Sequence, residues 1–373
     1  MKSRVVVVHV DEDPVKGIVR PGPHLRYKNP RILVENRTLP ALHPDEIRVE
    51  MIYAGVCGTD VHLVTTHPET GYIRCSAPAQ IGATGRVIGH EGIGMVLEAG
   101  SRVRHVQPGA CVTFESIIVC HYCDECRRGD FNQCRHALLL GLEKDGLFGS
   151  VVDVPSMLTH DVSDLVQSEE GRRAAACVEP AGVAYVACQN TRLTAGDVVA
   201  VFGAGPIGLF AAMLSKLIFG ASQVHMIEPV SFRRKLAETW SDEVYDVDEF
   251  FNHGPSAIDV VIEASGNMNN INRVFSRLKA NGRIAVLDRS GQPLSLDAVD
   301  HMITNVVSII GSRGHLGGAF ARILTLCRHG RISLGDAVTA IVNGPQEVCD
   351  FLSSPEKLLE ENCKVLVNFD SSR

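Results

Sequence analysis

The chain has 373 residues, 45% hydrophobic and 21% charged, a composition normal for a globular protein and a length too great for one ordinary core, so two domains are expected. Its net charge of -7, with no basic block, argues against a nucleic-acid or anionic-membrane surface as partner. Met1–Val10 holds one short apolar run and no small-residue cleavage pattern, so no secretory signal is read there.

From the start to about Pro155 the texture is β-rich. Short apolar runs at Ile47–Ile52, Gly94–Glu98 and Val151–Val154 are cut by Gly, Pro and Asp. Within this part, Gly55-Val-Cys57-Gly-Thr59-Asp60-Val-His62 packs several reactive side chains together, and Gly89-His90-Glu91 comes thirty residues on. Thiolate, imidazole and carboxylate are all zinc donors, and a site with three protein donors keeps a position for water or substrate. Cys57, His90, Glu91 and the later Glu179 are therefore candidate ligands of one ion. Asp60 is placed to take the free ring N–H of a ligating histidine. Thr59 and His62 are placed to carry a proton from a metal-bound alcohol to solvent. Taken singly, His62 reads as a loop histidine, Glu179 as a solvated acid and Cys57 as a buried thiol. Only their clustering, with a dinucleotide motif downstream at Gly203–Gly208, reverses those readings.

Next comes the row Cys120, Cys123, Cys126 and Cys134, spaced C-x2-C-x2-C-x7-C. Four thiolates this close can enclose one tetrahedral ion with no place for water, which makes the site structural. The other cysteines of the twelve show no regular spacing beyond these and Cys57. Without a secretory signal the expectation is metal binding in a reducing, cytoplasmic compartment, not a disulfide framework.

From about Ala174 to Gly311 apolar strands alternate with helical stretches: Val198–Phe202, Gln223–Ile227, Ala257–Ile262, Gly282–Leu287 and Val306–Ile310 are the expected strands. That alternation implies βαβ units and a parallel sheet. Val198–Ser215 carries no charge and approaches the length of a membrane span. Gly203, Gly205, Pro206 and Gly208 in its middle make strand, turn and helix the better reading. Gly203-Ala-Gly205-Pro206-Ile207-Gly208 is a Gly-x-Gly-x-x-Gly turn whose glycines serve a tight turn, close approach to a pyrophosphate and close helix packing. The next strand ends in Glu228, placed to accept both ribose hydroxyls of an adenosine. A carboxylate there repels a 2′-phosphate and favours NAD over NADP, although Arg233 and Arg234 lie just beyond and leave NADP possible. After Arg313 the tail holds a helical run near Phe320–Cys327 and a last strand, Lys364–Asn368.

Together, GVCGTDVH, GHE, the four-cysteine row, EP at Glu179-Pro180 and GAGPIG resemble the zinc-dependent medium-chain dehydrogenase/reductase superfamily, with its alcohol, sorbitol, threonine and glucose dehydrogenases. The resemblance runs from roughly Leu33 to Phe369. It implies an α/β fold: a GroES-like β-rich catalytic domain over 1–180 with 314–373 returning to it, and a Rossmann doubly wound parallel-sheet domain over 181–313. It implies two Zn2+ ions per chain, one held by Cys57, His90 and Glu179 with Glu91 beside it, the other by the cysteine row. It makes Thr59 and His62 the proton relay, Glu228 and Arg233 contacts to the adenosine side of NAD, and Lys364 a basic group near the pyrophosphate. A small-molecule alcohol or ketone is then the substrate, with no membrane partner, in a homodimer or homotetramer.

Glutamate at 179 leans toward polyols, sugars, cyclitols and amino alcohols, threonine included. Three stretches depart from the pattern: an N-terminal extension containing Pro21, Pro23 and Pro30; a long segment between His62 and Gly89 with His67, Cys75 and Pro78; and Asp288-Arg289-Ser290-Gly291, where a polar substrate group could be read by Arg289. Competing readings are a zinc-independent NADPH reductase and a non-catalytic zinc scaffold. Cys57, His90 and Glu228 speak against the first, and the full set of candidate catalytic residues against the second.

Overall fold

The structure is a computed structural model that describes residues 1–354 and 361–370. The chain groups into two units. One comprises Met1–Glu179 with the rest of the tail from Leu334; the other comprises Pro180–Ser333, with Glu361, Asn362 and Cys363 added from the tail. The return to the first unit comes later than the expected position 314. Residues 314–333 stay with the second unit, because the helix Ala319–Arg328 buries Phe320, Ile323 and Leu324, and His315 and Phe320 pack over Gly182.

Among the described residues, the larger sheet of the first unit has seven strands. Their order is Thr159–Asp161, Cys111–Phe114, Glu91–Ala99, Glu46–Val56, Lys364–Asn368 and Val338–Asn343, with Val151–Pro155 also paired to Glu46–Val56. Ile47, Val49 and Met51 point into the core at every second position, the spacing of a pleated strand. The strand expected at Ile47–Ile52 runs on to Val56. That extension brings its end to the residue before Cys57.

The first forty residues fold as a hairpin that the sequence does not announce. Lys2–Glu12 and Tyr27–Thr38 pair antiparallel, and Arg86–Val87 adds a third strand. Pro30 lies in the outer strand of this sheet, where a missing N–H is tolerated. Val6, Val8 and Tyr27 enter the same core as Leu63, Ile73 and Ile81. The Tyr27 hydroxyl accepts from the Ile81 N–H at 3.2 Å, and its carbonyl accepts from the Ile73 N–H at 3.0 Å. The extension and the long 63–88 segment thus pack against one another as one feature.

In the second unit a parallel sheet of six strands runs in the order Glu243–Tyr245, Gln223–Ile227, Val198–Phe202, Ile258–Glu263, Leu278–Val286, Ser308–Gly311. Numbered along the chain this is 3-2-1-4-5-6, the doubly wound order of dinucleotide-binding domains. The last strand begins two residues after the expected Val306. That residue takes a left-handed conformation (φ 52°) and closes the preceding helix, Val299–Asn305. Among the described residues no helix is long and apolar enough to cross a membrane. The uncharged run from Val198 is a strand, a glycine turn and the helix Pro206–Leu217.

Candidate active site

Three neighbouring strands of the first unit bring the scattered residues to one place. Gly55 pairs with Glu91 on one side and with Leu366 on the other, so Cys57, His90-Glu91 and Lys364 sit at the same end of adjacent strands. Cys57 precedes the helix Gly58–Val64, which carries Thr59, Asp60 and His62. Thr59 and His62 are three residues apart, hence on one helix face. The Thr59 hydroxyl is 3.8 Å from Cys57 Sγ. Donor atoms of Cys57, His90 and Glu91 all lie within 4.8 Å of one another. Glu179 stands outside that group, in the first turn of the helix Val178–Asn190, with Oε1 accepting from the Ser116 hydroxyl at 2.9 Å. The Thr113 hydroxyl is within reach of Gly92 O (3.0 Å) and of Ala175 O (3.1 Å) in the preceding helix, Glu169–Ala176, which ties that helix to the strand that begins at Glu91.

Asp60 does not orient the His90 ring as expected. Its Oδ2 accepts from the Cys57 N–H at 2.9 Å and its Oδ1 from the Gly89 N–H at 3.1 Å, so one buried carboxylate pins both donor-bearing segments by their backbones. Gly89 has φ 87° and lies against the Phe148 ring, which leaves no room for a Cβ. Lys364 also departs from expectation. Its ammonium is buried and pairs with Glu91, while also donating to Val56 O at 3.0 Å, so it is spent on the first unit and not on a phosphate. Ser116 and the Lys364–Glu91 pair carry no sequence signature, because each depends on residues far apart in the chain.

The electrostatics call for a cation. Burial raises the Cys57 thiol, with Glu91 and Asp60 adding to the rise against the lowering effect of His90. Burial pushes Glu179 up to about 7. Desolvation opposes charge on His90, yet Cys57, Asp60 and Glu179 hold it well above its ordinary value. These buried acidic groups thus lean on the His90 ring and the Lys364 ammonium for compensation, a role that a metal ion among the same donors would take over. His90 Nδ1 is buried with no hydrogen-bond partner among the described residues. The donor types and the orphaned nitrogen fit a zinc ion.

The four cysteines converge on their own. Their sulfurs lie within 4.8 Å of one another, with Cys123 to Cys134 at 3.9 Å and Cys134 to Cys120 at 3.6 Å. The short helix Asp124–Arg128, the left-handed Gly129 and the turn Phe131–Gln133 fold the row back on itself. Desolvation raises Cys120, but N–H groups of Tyr122 and Cys123 and the adjacent thiols outweigh it and bring the group to about 6; desolvation and its neighbours push Cys126 to about 12. All twelve cysteines are free.

In the second unit the glycine turn has the form its spacing implies. Gly203 has φ 93° and Gly208 nearly touches the Gly203 carbonyl, so neither tolerates a Cβ, whereas a Cβ at Gly205 would meet nothing within 4 Å. That open space sits at the start of the helix that Pro206 and Ile207 begin, where N–H groups are free for a phosphate. Glu228 accepts from the Ala204 N–H at 2.7 Å and the Val230 N–H at 2.9 Å. Arg233 donates to Asn362 O at 3.0 and 3.2 Å, and Arg234 donates to the carbonyls of Glu228 (2.8 Å) and Pro229 (2.6 Å). The turn, the carboxylate and the helix start fit a nicotinamide dinucleotide. Asp288 crowds Gly266, and Arg289 is exposed.

Residues 43–164 match the family described as alcohol dehydrogenase GroES-like domain, and residues 206–327 the family described as zinc-binding dehydrogenase. Over 331 residues the chain is 31% identical to scyllo-inosose 3-dehydrogenase of Thermotoga maritima, covering 82% of each chain. Over 290 residues it is 29% identical to L-threonine 3-dehydrogenase of Caldanaerobacter subterraneus, covering 75% of this chain and 79% of that one. Its fold superimposes on the solved structure of a candidate alcohol dehydrogenase from Thermotoga maritima with a TM-score of 0.86 and 27% identity, covering 98% of this chain and 100% of that one.

Proposed function

Because the chain belongs to the zinc-dependent medium-chain dehydrogenase superfamily, we propose that it oxidises a secondary alcohol of a polyol, sugar, cyclitol or amino alcohol with NAD, at a zinc ion held by Cys57, His90 and Glu179. The observation that carries this reading is the meeting of the Cys57, His90 and Glu91 donor atoms within 4.8 Å at one sheet end, with the buried Glu179 near enough to His90 to favour its charged form. The bound groups supply a Lewis acid that makes a hydroxyl more acidic and a nicotinamide that takes hydride.

The chain's own residues do the rest. Asp60 holds the Cys57 and Gly89 backbones in place, and Ser116 aims the Glu179 carboxylate. Thr59 Oγ1, beside Cys57 Sγ, takes the substrate hydroxyl proton and passes it to the His62 ring one helical turn on. Glu228 receives the adenosine ribose with the lone pairs that its two backbone bonds leave over. Arg233 and Arg234 spend donors on backbone carbonyls, which supports NAD over NADP. The structural zinc is assigned to Cys120, Cys123, Cys126 and Cys134, and the proposed assembly is a homodimer or homotetramer.

The test is reduction of NAD and of NADP by the purified protein against a panel of a linear polyol, an inositol-type cyclitol, a sugar and threonine. NAD reduction with at least one of them is expected, lost on zinc removal and restored by zinc. Full activity in a metal-free preparation would overturn the zinc assignment; a strong preference for NADP would overturn the cofactor.

A further inference from the structure

Two acids of the second unit, Glu263 and Asp288, take no part in the proposed chemistry, yet both stand at the carboxyl end of its parallel sheet. In a doubly wound sheet a dinucleotide crosses the carboxyl ends of the strands, with its pyrophosphate at the turn after the first strand. Here that turn is Gly203–Gly208, and Glu228, just past the strand Gln223–Ile227, is placed for the adenosine ribose on one side of it. The nicotinamide half then extends to the other side, over the ends of Ile258–Glu263 and Leu278–Val286.

Contacts within the unit trace that path. A Cβ on Gly203 would lie 2.7 Å from Ala264 O and 3.0 Å from Ser265 Cα, so the glycine turn rests on the segment that follows Glu263. Next comes Gly266 (φ 74°), where a Cβ would lie 2.7 Å from Asp288 Oδ2. The Leu287 N–H donates to Glu263 O at 3.0 Å and continues the pairing of the two strands past Val286, which delivers Asp288 to that place.

The two acids differ in what they are free to do. Glu263 is fully buried, and its carboxylate accepts from the Ser265 N–H at 3.0 Å, from the Ser265 hydroxyl and from the Gly266 N–H at 3.2 Å. It is spent on shaping the turn. Burial raises its carboxyl, and the charge of Asp288 adds to the rise. Asp288 is half-buried, and its carboxylate makes no hydrogen bond or ion pair among the described residues. A partly dehydrated carboxylate without a partner attracts positive charge more strongly than one in bulk water. The nicotinamide ring offers that charge in one redox state alone: it is cationic in NAD+ and neutral in NADH.

We infer that Asp288 is a specificity-determining residue of the dinucleotide site, facing the nicotinamide half and favouring the oxidised cofactor over the reduced one. This rests on the NAD reading above. A site of this kind holds NAD+ against competing NADH and lets the reduced cofactor leave, which suits the oxidative direction.

The test follows NADH binding to the full-length, zinc-loaded protein by NADH fluorescence, with NAD+ and ADP-ribose measured by displacement. Asp288→Asn should raise the Kd for NAD+ relative to that for NADH by about tenfold. ADP-ribose, which lacks the nicotinamide, should bind as it does to the wild type, and Asp288→Glu, which keeps the charge, should keep the wild-type ratio. An unchanged ratio in folded Asp288→Asn would overturn the inference. So would an equal loss of ADP-ribose affinity, which would assign Asp288 to the turn and not to the nicotinamide. Asp288→Ser reads the same ratio if the asparagine variant does not fold. A wild-type protein that binds neither NADH nor ADP-ribose would instead overturn the dinucleotide reading itself.

Discussion

The two donor clusters of the first unit are built on opposite plans. Cys120, Cys123, Cys126 and Cys134 span fifteen consecutive positions, offer one donor type and close up through a five-residue helix and a tight turn. Cys57, His90-Glu91 and Glu179 come from three separate stretches of the chain and offer three donor types; strand register joins the first two, and a helix carries Glu179. The first cluster is flanked by exposed ion pairs, Arg135 with Asp124 and Glu125. The second is buried, pinned by Asp60 and supplied with an internal counter-ion in Lys364. A site that only holds a fold can be local and uniform. On the proposed assignment, the site that keeps a coordination place open for substrate is the one whose donors are aimed by groups outside the donor set.

That contrast can be broken by comparing variants. The largest effect on turnover is expected from Cys57→Ser. It should lower kcat by more than about a hundredfold, beyond the usual cost of disturbing a residue behind a ligand, with NADH binding followed by fluorescence left intact. Cys123→Ser should do the reverse. Loss of a structural metal belongs to the most destabilising class of changes, on the order of 4 kcal/mol or more, so the thermal midpoint should fall while the folded fraction keeps its turnover. If Cys123→Ser instead lowers kcat at unchanged stability, the division of labour between the clusters is wrong. Ser116→Ala should be intermediate, weakening metal affinity by roughly tenfold as Glu179 loses its aim; unchanged affinity in a competition titration would show that Glu179 needs no such support. The smallest effect is expected from Arg135→Ala, an exposed charge whose removal should leave both the melting midpoint and kcat where they were.

Much of the second unit was legible in the chain. Val198–Phe202 and Gln223–Ile227 are strands at the bounds their composition implies, because buried parallel strands are short, uniformly apolar and punctuated by glycine. The β-branched pair Val306–Val307 reads as a strand start, yet Val306 closes a helix instead. The N-terminal hairpin was not legible. Val5–Val8 are buried on both faces of the first strand, Val6 and Val8 in the main core and Val5 and Val7 against Val87, so no alternation marks it, and only contact with the 63–88 segment decides the pairing.

The candidate residues divide the same way. By itself the sequence determined which donors exist, that the four cysteines can enclose an ion, and that a glycine turn opens a dinucleotide site, since each rests on spacing within a few residues. What only the tertiary structure decided is who faces whom: Asp60 on two backbones and not on an imidazole, Ser116 on Glu179, and Lys364 on Glu91 and not on a phosphate. The physical reason is that strand register joins residues hundreds of positions apart, and a buried charge must find its partner among whatever that register delivers.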